Sequence, residues 1–225
     1  MKLNHVHIEN FKGLRHLDLS LVTDVGTSPR RVTCLIGDNS SGKTTALQAI
    51  ALTLSLATRR TRHPTEFRWH GFLPERVGSL GRTFVELAIG LDPEEVRITH
   101  ELYQEWYDSQ ASNWKQTHRV VEPADHSEVR LVDEGRLYDL AEMSSGEQTI
   151  FSLLCDFIRL NITRSIVLID ELELHLHAAV QQALYAGLPR LGPDCQFLIT
   201  THSAFLTDII PSEQEVRLEG ERRCL

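Results

Sequence analysis

Gly37-Asp38-Asn39-Ser40-Ser41-Gly42-Lys43-Thr44-Thr45 is the stretch whose reading decides the fold. It fits the pattern G-x-x-x-x-G-K-[ST], and its setting matters as much as its letters. The apolar run Val32–Ile36 before it reads as a strand, and the Ala- and Leu-rich segment from Ala46 to about Ala57 reads as a helix. In that context Gly37 and Gly42 let the backbone wrap closely, so that its N–H groups face phosphate oxygens. The helix beginning near Lys43 adds its positive dipole end. Lys43 is placed to reach the β- and γ-phosphates and Thr44 to offer a hydroxyl to magnesium. The pattern implies a nucleoside-triphosphate site with Gly37 through Thr45 as its cradle.

Length and composition bound the rest. The 225 residues suffice for one α/β domain with a sizeable core, and 41% hydrophobic with 24% charged residues is ordinary for a globular protein. Twenty-three Lys and Arg against 31 Asp and Glu give a net charge of −8, so the chain is no general polyanion binder. Any nucleic-acid contact must use a local patch. No apolar run approaches the roughly 20 residues that span a bilayer, and the opening MKLNHVHIENFKGL has no signal-peptide core. Cys34, Cys155, Cys195 and Cys224 form no C-x-x-C pair and read as reduced, mostly buried thiols of a cytoplasmic protein.

Along the chain, residues 2–8 alternate as a first strand. Leu14, Leu17, Leu19 and Leu21 mark a second after a turn at Lys12-Gly13. Arg59-Arg-Thr-Arg-His63 follows the first helix, as dipole complement and solvated surface or as a contact for a nucleic-acid backbone. Residues 64–80 read as Pro- and Gly-punctuated loop. Thr83–Leu91 alternates as a strand, with Val96–Tyr103 as a candidate hairpin partner. Trp106, Tyr107 and Trp114 stand in a polar stretch, as base-stacking groups or as anchors of a loop or partner surface. Val129–Leu140 suggests two short strands. Beyond them come a helix from Gly146 to about Leu160, a buried strand Ser165–Ile169 and a helix His177–Leu188 ending before Pro189. A buried strand Gln196–Thr200, a short helix Ser203–Ile210 and an edge strand Val216–Leu218 complete the order. Strands alternating with helices around a phosphate loop predict a mostly parallel sheet with an antiparallel attachment.

Four apolar residues followed by two acids, Ile166-Val-Leu-Ile-Asp170-Glu171, place carboxylates at the C-terminal end of a strand, where open α/β sheets hold their ligands. Asp170 is set to hold magnesium, directly or through water, and Glu171 to orient and deprotonate a water attacking the γ-phosphate. Met143-Ser144-Ser145-Gly146-Glu147-Gln148 opens a helix and offers a second anion cradle, although Ser followed by Glu three residues on is also a capping box. His175 and His177 form an H-x-H pair without a third metal ligand beside them in sequence.

Met143-Ser144-Ser145-Gly146-Glu147-Gln148 resembles the signature motif of ABC-type ATPases, L-S-G-G-Q, in the S-x-G-E form of the SMC/RecF/OLD-like branch. Three further segments agree. Asp170-Glu-Leu-Glu-Leu-His-Leu-His-Ala178 is similar to that branch's D-E-P-E-x-H-L-H-P run, with Leu172 and Ala178 in place of two prolines. Phe197-Leu-Ile-Thr-Thr-His202-Ser203 resembles its switch-histidine strand, and Ile8-Glu-Asn-Phe-Lys-Gly-Leu-Arg15 its N-terminal opening. The resemblance spans nearly the whole chain with the motifs in family order. It implies a P-loop NTPase, an ABC-ATPase-like α/β head with a mostly parallel sheet, an antiparallel β subdomain and a helical signature lobe. Residues 1–225 would be one domain of two lobes, with an excursion over residues 61–140 in place of a coiled-coil arm and no nuclease domain. It implies ATP and Mg2+ as cofactors, with Thr44 and Asp170 on the metal and Lys43, Glu171 and His202 catalytic. Ser144, Ser145, Gly146 and Glu147 would bind the γ-phosphate held by a second head, and Lys12 or Arg15 would lie near the nucleotide. The partners it implies are a second copy closing on two ATP and a separate effector such as a nuclease, with DNA as a further candidate. The setting would be DNA repair or phage defence. Two other readings compete: a nucleotide-binding scaffold with little turnover, and the nucleotide-binding subunit of a transporter. The N-F-K opening, the E-L-H-L-H run and the lack of a glutamine loop between residues 60 and 110 speak against the last.

Overall fold

The computed structural model describes residues 1–23, 28–97, 101, 130–133, 136–139 and 144–219. Trp106, Tyr107, Trp114, Met143 and Cys224 lie outside the described residues.

Alternation and continuous hydrophobicity sort the strands into two sheets. β1 (Lys2–Phe11), β2 (Leu14–Ser20) and β4 (Phe84–Gly90) form an antiparallel sheet in the order β2-β1-β4. Leu3, Val6, Ile8, Leu17 and Leu19 are buried on one face. β3 (Val32–Ile36), β7 (Ile166–Ile169), β8 (Gln196–Thr201) and β9 (Glu215–Arg217) form the second sheet, wholly parallel, in the order β7-β8-β3-β9. β3 and β8 are buried at every residue, as central strands covered on both faces must be. β5 (Arg130–Asp133) and β6 (Arg136–Asp139) pair as a separate hairpin.

Two apolar clusters share the parallel sheet. On one face Leu35, Leu198, Ile166 and Leu168 meet α1 (Lys43–Ala57), whose Ala46, Leu47, Ala49 and Ile50 also pack on the antiparallel sheet. On the other, Cys34, Val167, Phe197 and Ile199 meet α2 (Ser145–Arg159) through Phe157 and α3 (Ala178–Leu191) through Leu184 and Leu188. Helix α1 is thus sandwiched between sheets, which is why it reads as apolar nearly all round. The short α4 (Ala204–Thr207) follows β8 and buries Leu206. Residues 64–80 contain two short 3-10 turns, Pro64–Glu66 and Pro74–Arg76. They pack aromatics inward: Phe67 is buried, with Phe72 edge-on at 5.0 Å and Phe11 6.5 Å from Phe72.

Two expectations are corrected. Val96 and Arg97 belong to a helical turn over residues 93–97, not to a hairpin strand. Asp92 Oδ1 accepts from the Glu95 N–H at 2.8 Å while Glu95 Oε2 accepts from the Asp92 N–H at 3.1 Å, a reciprocal capping box with Pro93 at the first helical position. Helix α3 does not stop before Pro189 but carries it in its last turn. Pro189 gives no N–H to the carbonyl one turn before it, but Leu188 is fully buried and the Gly192 N–H closes the helix on Leu188 O at 3.2 Å. The thiols behave as expected where described. Cys34 and Cys195 are buried and Cys155 is half-buried; burial pushes the Cys34 thiol up to about 12. Among the described residues no helix is long and apolar enough to cross a membrane.

One buried polar side chain ties the sheets together. β1 pairs with β2 only from His5 onward, leaving Leu3 without a β2 partner. Gln196 fills that place: its Oε1 accepts from the Leu3 N–H at 2.7 Å and its Nε2 donates to Leu3 O at 2.8 Å. Gln196→Leu is expected to destabilise the chain by roughly 1–3 kcal/mol, because it strands a buried donor and acceptor. Urea unfolding monitored by tryptophan fluorescence checks this, and wild-type stability would show that Leu3 finds other partners.

Candidate phosphate-binding and hydrolysis site

Three elements end at one place. In the parallel register Ile169 of β7 sits beside Ile199 of β8, so the next residues, Asp170 and Thr200, emerge side by side. The Thr200 hydroxyl donates to Asp170 Oδ1 at 2.7 Å, and the Thr44 hydroxyl on the first turn of α1 donates to the same oxygen at 2.9 Å. The Thr200 Oγ1 also accepts the Glu171 N–H at 2.7 Å, and Thr200 O accepts the Leu172 N–H at 3.1 Å. Glu171 takes a left-handed backbone, φ +52°, leaving its side chain exposed at the strand end. A non-glycine residue pays for that conformation, and such residues cluster at functional sites.

The loop between β3 and α1 is shaped by its glycines. A Cβ on Gly37 would sit 2.4 Å from Leu218 O, and one on Gly42, at φ +96°, would meet Leu14 at 3.0 Å. Ser41 and Lys43 are buried, whereas Asp38, Asn39 and Ser40 are exposed; Gly37, Gly42, Thr44 and Thr45 are half-buried. Lys43 Nζ is folded back over the loop and donates to Gly37 O and Asp38 O, both at 2.8 Å. Burial pulls this ammonium below the ordinary lysine value, and Glu173, Asp38, Glu171 and Asp170 oppose the fall.

His202 stands exposed just past the end of β8, and a cleft of about 980 Å³ is lined jointly by Gly37, Asp38, Asn39, Ser40, Thr201 and His202. The first half of the β3–α1 loop and His202 therefore face one space. Ser144, Ser145 and Gly146 occupy the start of α2, where the Gln148 N–H bonds Ser144 O at 3.0 Å. Glu147 lies in the same turn. A Cβ on Gly146 would come within 2.6 Å of His175 O, so this turn rests on the segment that follows the acids. Lys12, with Arg15 one of two residues expected near the nucleotide, donates to Gln48 Oε1 of α1 at 2.7 Å and lies 5.5 Å from the Phe72 ring centroid. His175 and His177 are both exposed.

The replaced prolines have physical reasons. Leu172 is buried in the second core and gives its N–H to Thr200 O, a bond proline lacks. Ala178 opens α3 after an extended His177, the position where proline is tolerated but not needed.

Sequence reasoning missed Glu173. Its Oε1 accepts the His202 N–H at 2.5 Å, its Oε2 is buried without a hydrogen-bond partner, and among the acids it has the largest effect on Lys43. The available signal was the third acid of Asp170-Glu-Leu-Glu173. Glu173→Ala should release the switch backbone: a hydrogen bond to a charged group contributes roughly 1.5–3 kcal/mol. Amide exchange at His202 should therefore quicken by about tenfold or more. Unchanged exchange would place the holding contact elsewhere.

Known proteins place this geometry. Residues 91–208, more than half of the chain, match a family described as "AAA domain, putative AbiEii toxin, Type IV TA system", and residues 1–105 match an "AAA ATPase domain". The Septu protein PtuA of Bacillus mycoides is 24% identical over 98% of this chain and 41% of its own length. The Retron Vc95 probable ATPase of Vibrio cholerae is 31% identical over 40% of this chain and 20% of its own. The chain thus spans less than half the length of these curated relatives. An SMC head solved bound to the C-winged helix domain of ScpA superposes with a TM-score of 0.50 at 14% identity, covering 92% of this chain and 91% of that one, which supports the fold alone. The chain belongs to the AAA domain family that residues 91–208 match, and it has an SMC-like head fold.

Proposed function

We infer that this chain is an ATP-hydrolysing head that closes as a homodimer on two ATP molecules and thereby switches a separate effector. The observation that carries the reading is the pair of hydroxyls, Thr44 and Thr200, on one oxygen of Asp170. It locks the phosphate loop to the strand end bearing Glu171 and the strand leading to His202. Lys43 and the loop N–H groups of Gly37 through Thr45 bind the phosphates. In doing so Lys43 exchanges neutral carbonyl acceptors for anionic ones, and charge-assisted bonds are the stronger kind. Glu171 orients the attacking water and takes its proton, and His202 approaches the γ-phosphate from the other wall of the cleft. The Thr44 hydroxyl and Asp170 carboxylate are hard oxygen donors that fit Mg2+. Bound with the nucleotide, that ion neutralises phosphate charge and polarises the transferring group.

The reading assigns Ser144, Ser145, Gly146 and Glu147 to the γ-phosphate of a second copy. Leu174 and Phe205, exposed by 49% and 58% beside the catalytic strand ends, supply apolar surface of the kind a closing partner covers. Residues 61–140 take the place of the arm in SMC-type heads, within a single two-lobed domain. Similarity to Septu and retron proteins favours phage defence over DNA repair, with DNA as one further ligand to assay. The competing reading is a nucleotide-binding scaffold with little turnover.

Three variants separate these possibilities. Lys43→Ala should weaken ATP binding about tenfold or more by removing a charge aimed at phosphate. Glu171→Gln should retain binding while turnover falls by about two to four orders of magnitude. Its solution mass by light scattering should double on adding Mg-ATP. Ser144→Arg should bind ATP as a monomer yet fail to double. A Glu171→Gln protein that hydrolyses at the wild-type rate would remove Glu171 as base, and one that binds ATP without changing mass would favour the scaffold.

A further inference from the structure

The antiparallel sheet turns a second set of chemistry-bearing side chains away from α1. Pairing between β1 and β2 sets Glu9 opposite His16 and His7 opposite Asp18, and period-two alternation puts all four on the face opposite buried Val6 and Ile8. His7 stands between two carboxylates: its Nδ1 lies 3.0 Å from Asp18 Oδ2, and its Nε2 lies 3.2 Å from Glu9 Oε1. A neutral imidazole carries one N–H and can donate to only one of them. With the Nδ1–H given to Asp18, the Nε2 lone pair faces an anionic oxygen. That contact requires a positive charge, either a second proton on the ring or a cation between the two atoms.

The neighbouring groups favour the cation. The His16 ring lies 5.3 Å from His7, centroid to centroid, at 71°. One ligand atom each from His7, Glu9 and His16 falls within 4.8 Å of the others. Tetrahedral zinc, bound at about 2.0–2.2 Å, separates its ligand atoms by roughly 3.4 Å. The His7–Glu9 spacing already matches, and exposed His16 needs only side-chain rotation to close the third edge. Asp18 behind His7 completes the carboxylate–histidine arrangement that fixes the tautomer of metal-bound imidazoles. Asp18 is itself held by His5 Nε2 at 2.8 Å. Two imidazoles and one carboxylate suit zinc-class ions, whereas calcium and magnesium take oxygen ligands.

We propose that His7, Glu9 and His16 form a site for a divalent transition-metal ion of the zinc class, with Asp18 orienting His7 and the fourth position taken by water. The ion clamps β1 to β2 across the ladder on the side away from the phosphate loop. This site is independent of the nucleotide reading.

The test is equilibrium dialysis of the chelator-stripped full chain against zinc chloride alone, with cobalt(II) as a spectroscopic probe. The expected result is one ion per chain at neutral pH and a visible cobalt band of tetrahedral intensity. His7→Gln and His16→Gln should lose both, while Asp18→Asn should weaken binding by about 10–100-fold. Binding of a fluorescent ATP analogue should stay unchanged in all three variants, confirming that they fold. His175→Gln and His177→Gln, at the other histidine pair, should bind zinc as the parent does. Wild-type stoichiometry in His7→Gln or His16→Gln would overturn the proposal. So would a parent chain that binds no zinc, which would leave His7 as a doubly protonated ring between its carboxylates.

Discussion

A single carboxylate oxygen, Asp170 Oδ1, accepts hydroxyl bonds from Thr44 at 2.9 Å and from Thr200 at 2.7 Å. The two donors come from elements distant in sequence, the first turn of α1 and the last residues of β8. Each hydrogen bond contributes only about 1 kcal/mol net. Their value is geometric. They fix the start of α1, and hence the end of the phosphate loop, relative to the strand bearing the acids. The parallel register makes this possible, because β7 and β8 pair residue for residue up to Ile169 and Ile199. Both acceptor and donor then leave the sheet at the same level. Shifting either strand by one residue would turn Asp170 or Thr200 to the opposite face.

Most of the fold was legible because each class of strand carries its own pattern. β3 and β8 carry the consecutive apolar residues Cys34–Ile36 and Phe197–Ile199 and are buried throughout, whereas β1 alternates, burying Leu3, Val6 and Ile8. The candidate site could be proposed from sequence because phosphate chemistry needs particular residue types at fixed local spacing. The failures share a cause: a local signal yielded to another. Val96–Tyr103 reads as a candidate hairpin partner for the strand before it, but Asp92-Pro-Glu-Glu95 closes a capping box and starts a helical turn. Pro189 suggested a helix end, but the burial of Leu188 carries the helix on. Glu173 escaped notice because its partner, the His202 backbone, is 29 residues away. No spacing rule within a motif reports such a contact.

Gln196 and Gly42 show how the antiparallel sheet is brought to the site. Gln196 substitutes for a missing strand neighbour at Leu3 and anchors β1 to β8. At the far end of the same hairpin, Leu14 fills the space that a side chain on Gly42 would need. The N-terminal sheet is therefore pinned to the parallel sheet at one end and braced against the phosphate loop at the other. This explains why the loop's second glycine is demanded by packing as well as by its φ of +96°.

The charges around the cleft constrain what enters it. Asp170, Glu171 and Glu173 crowd one strand end, and Lys43 is the buried cation they surround. A bare triphosphate brought to this place would meet three carboxylates and gain one ammonium. A triphosphate accompanied by a divalent cation meets the same groups with two or more of its charges already neutralised. The acids then oppose it less. The Glu173 contact fits the same logic: by accepting the His202 N–H it turns one of the three charges toward the switch backbone, so part of the site's negative potential holds the histidine strand in place. The other oxygen, Oε2, is buried without a hydrogen-bond partner among the described residues. Glu173 in this sense joins the acidic strand end to the backbone of His202.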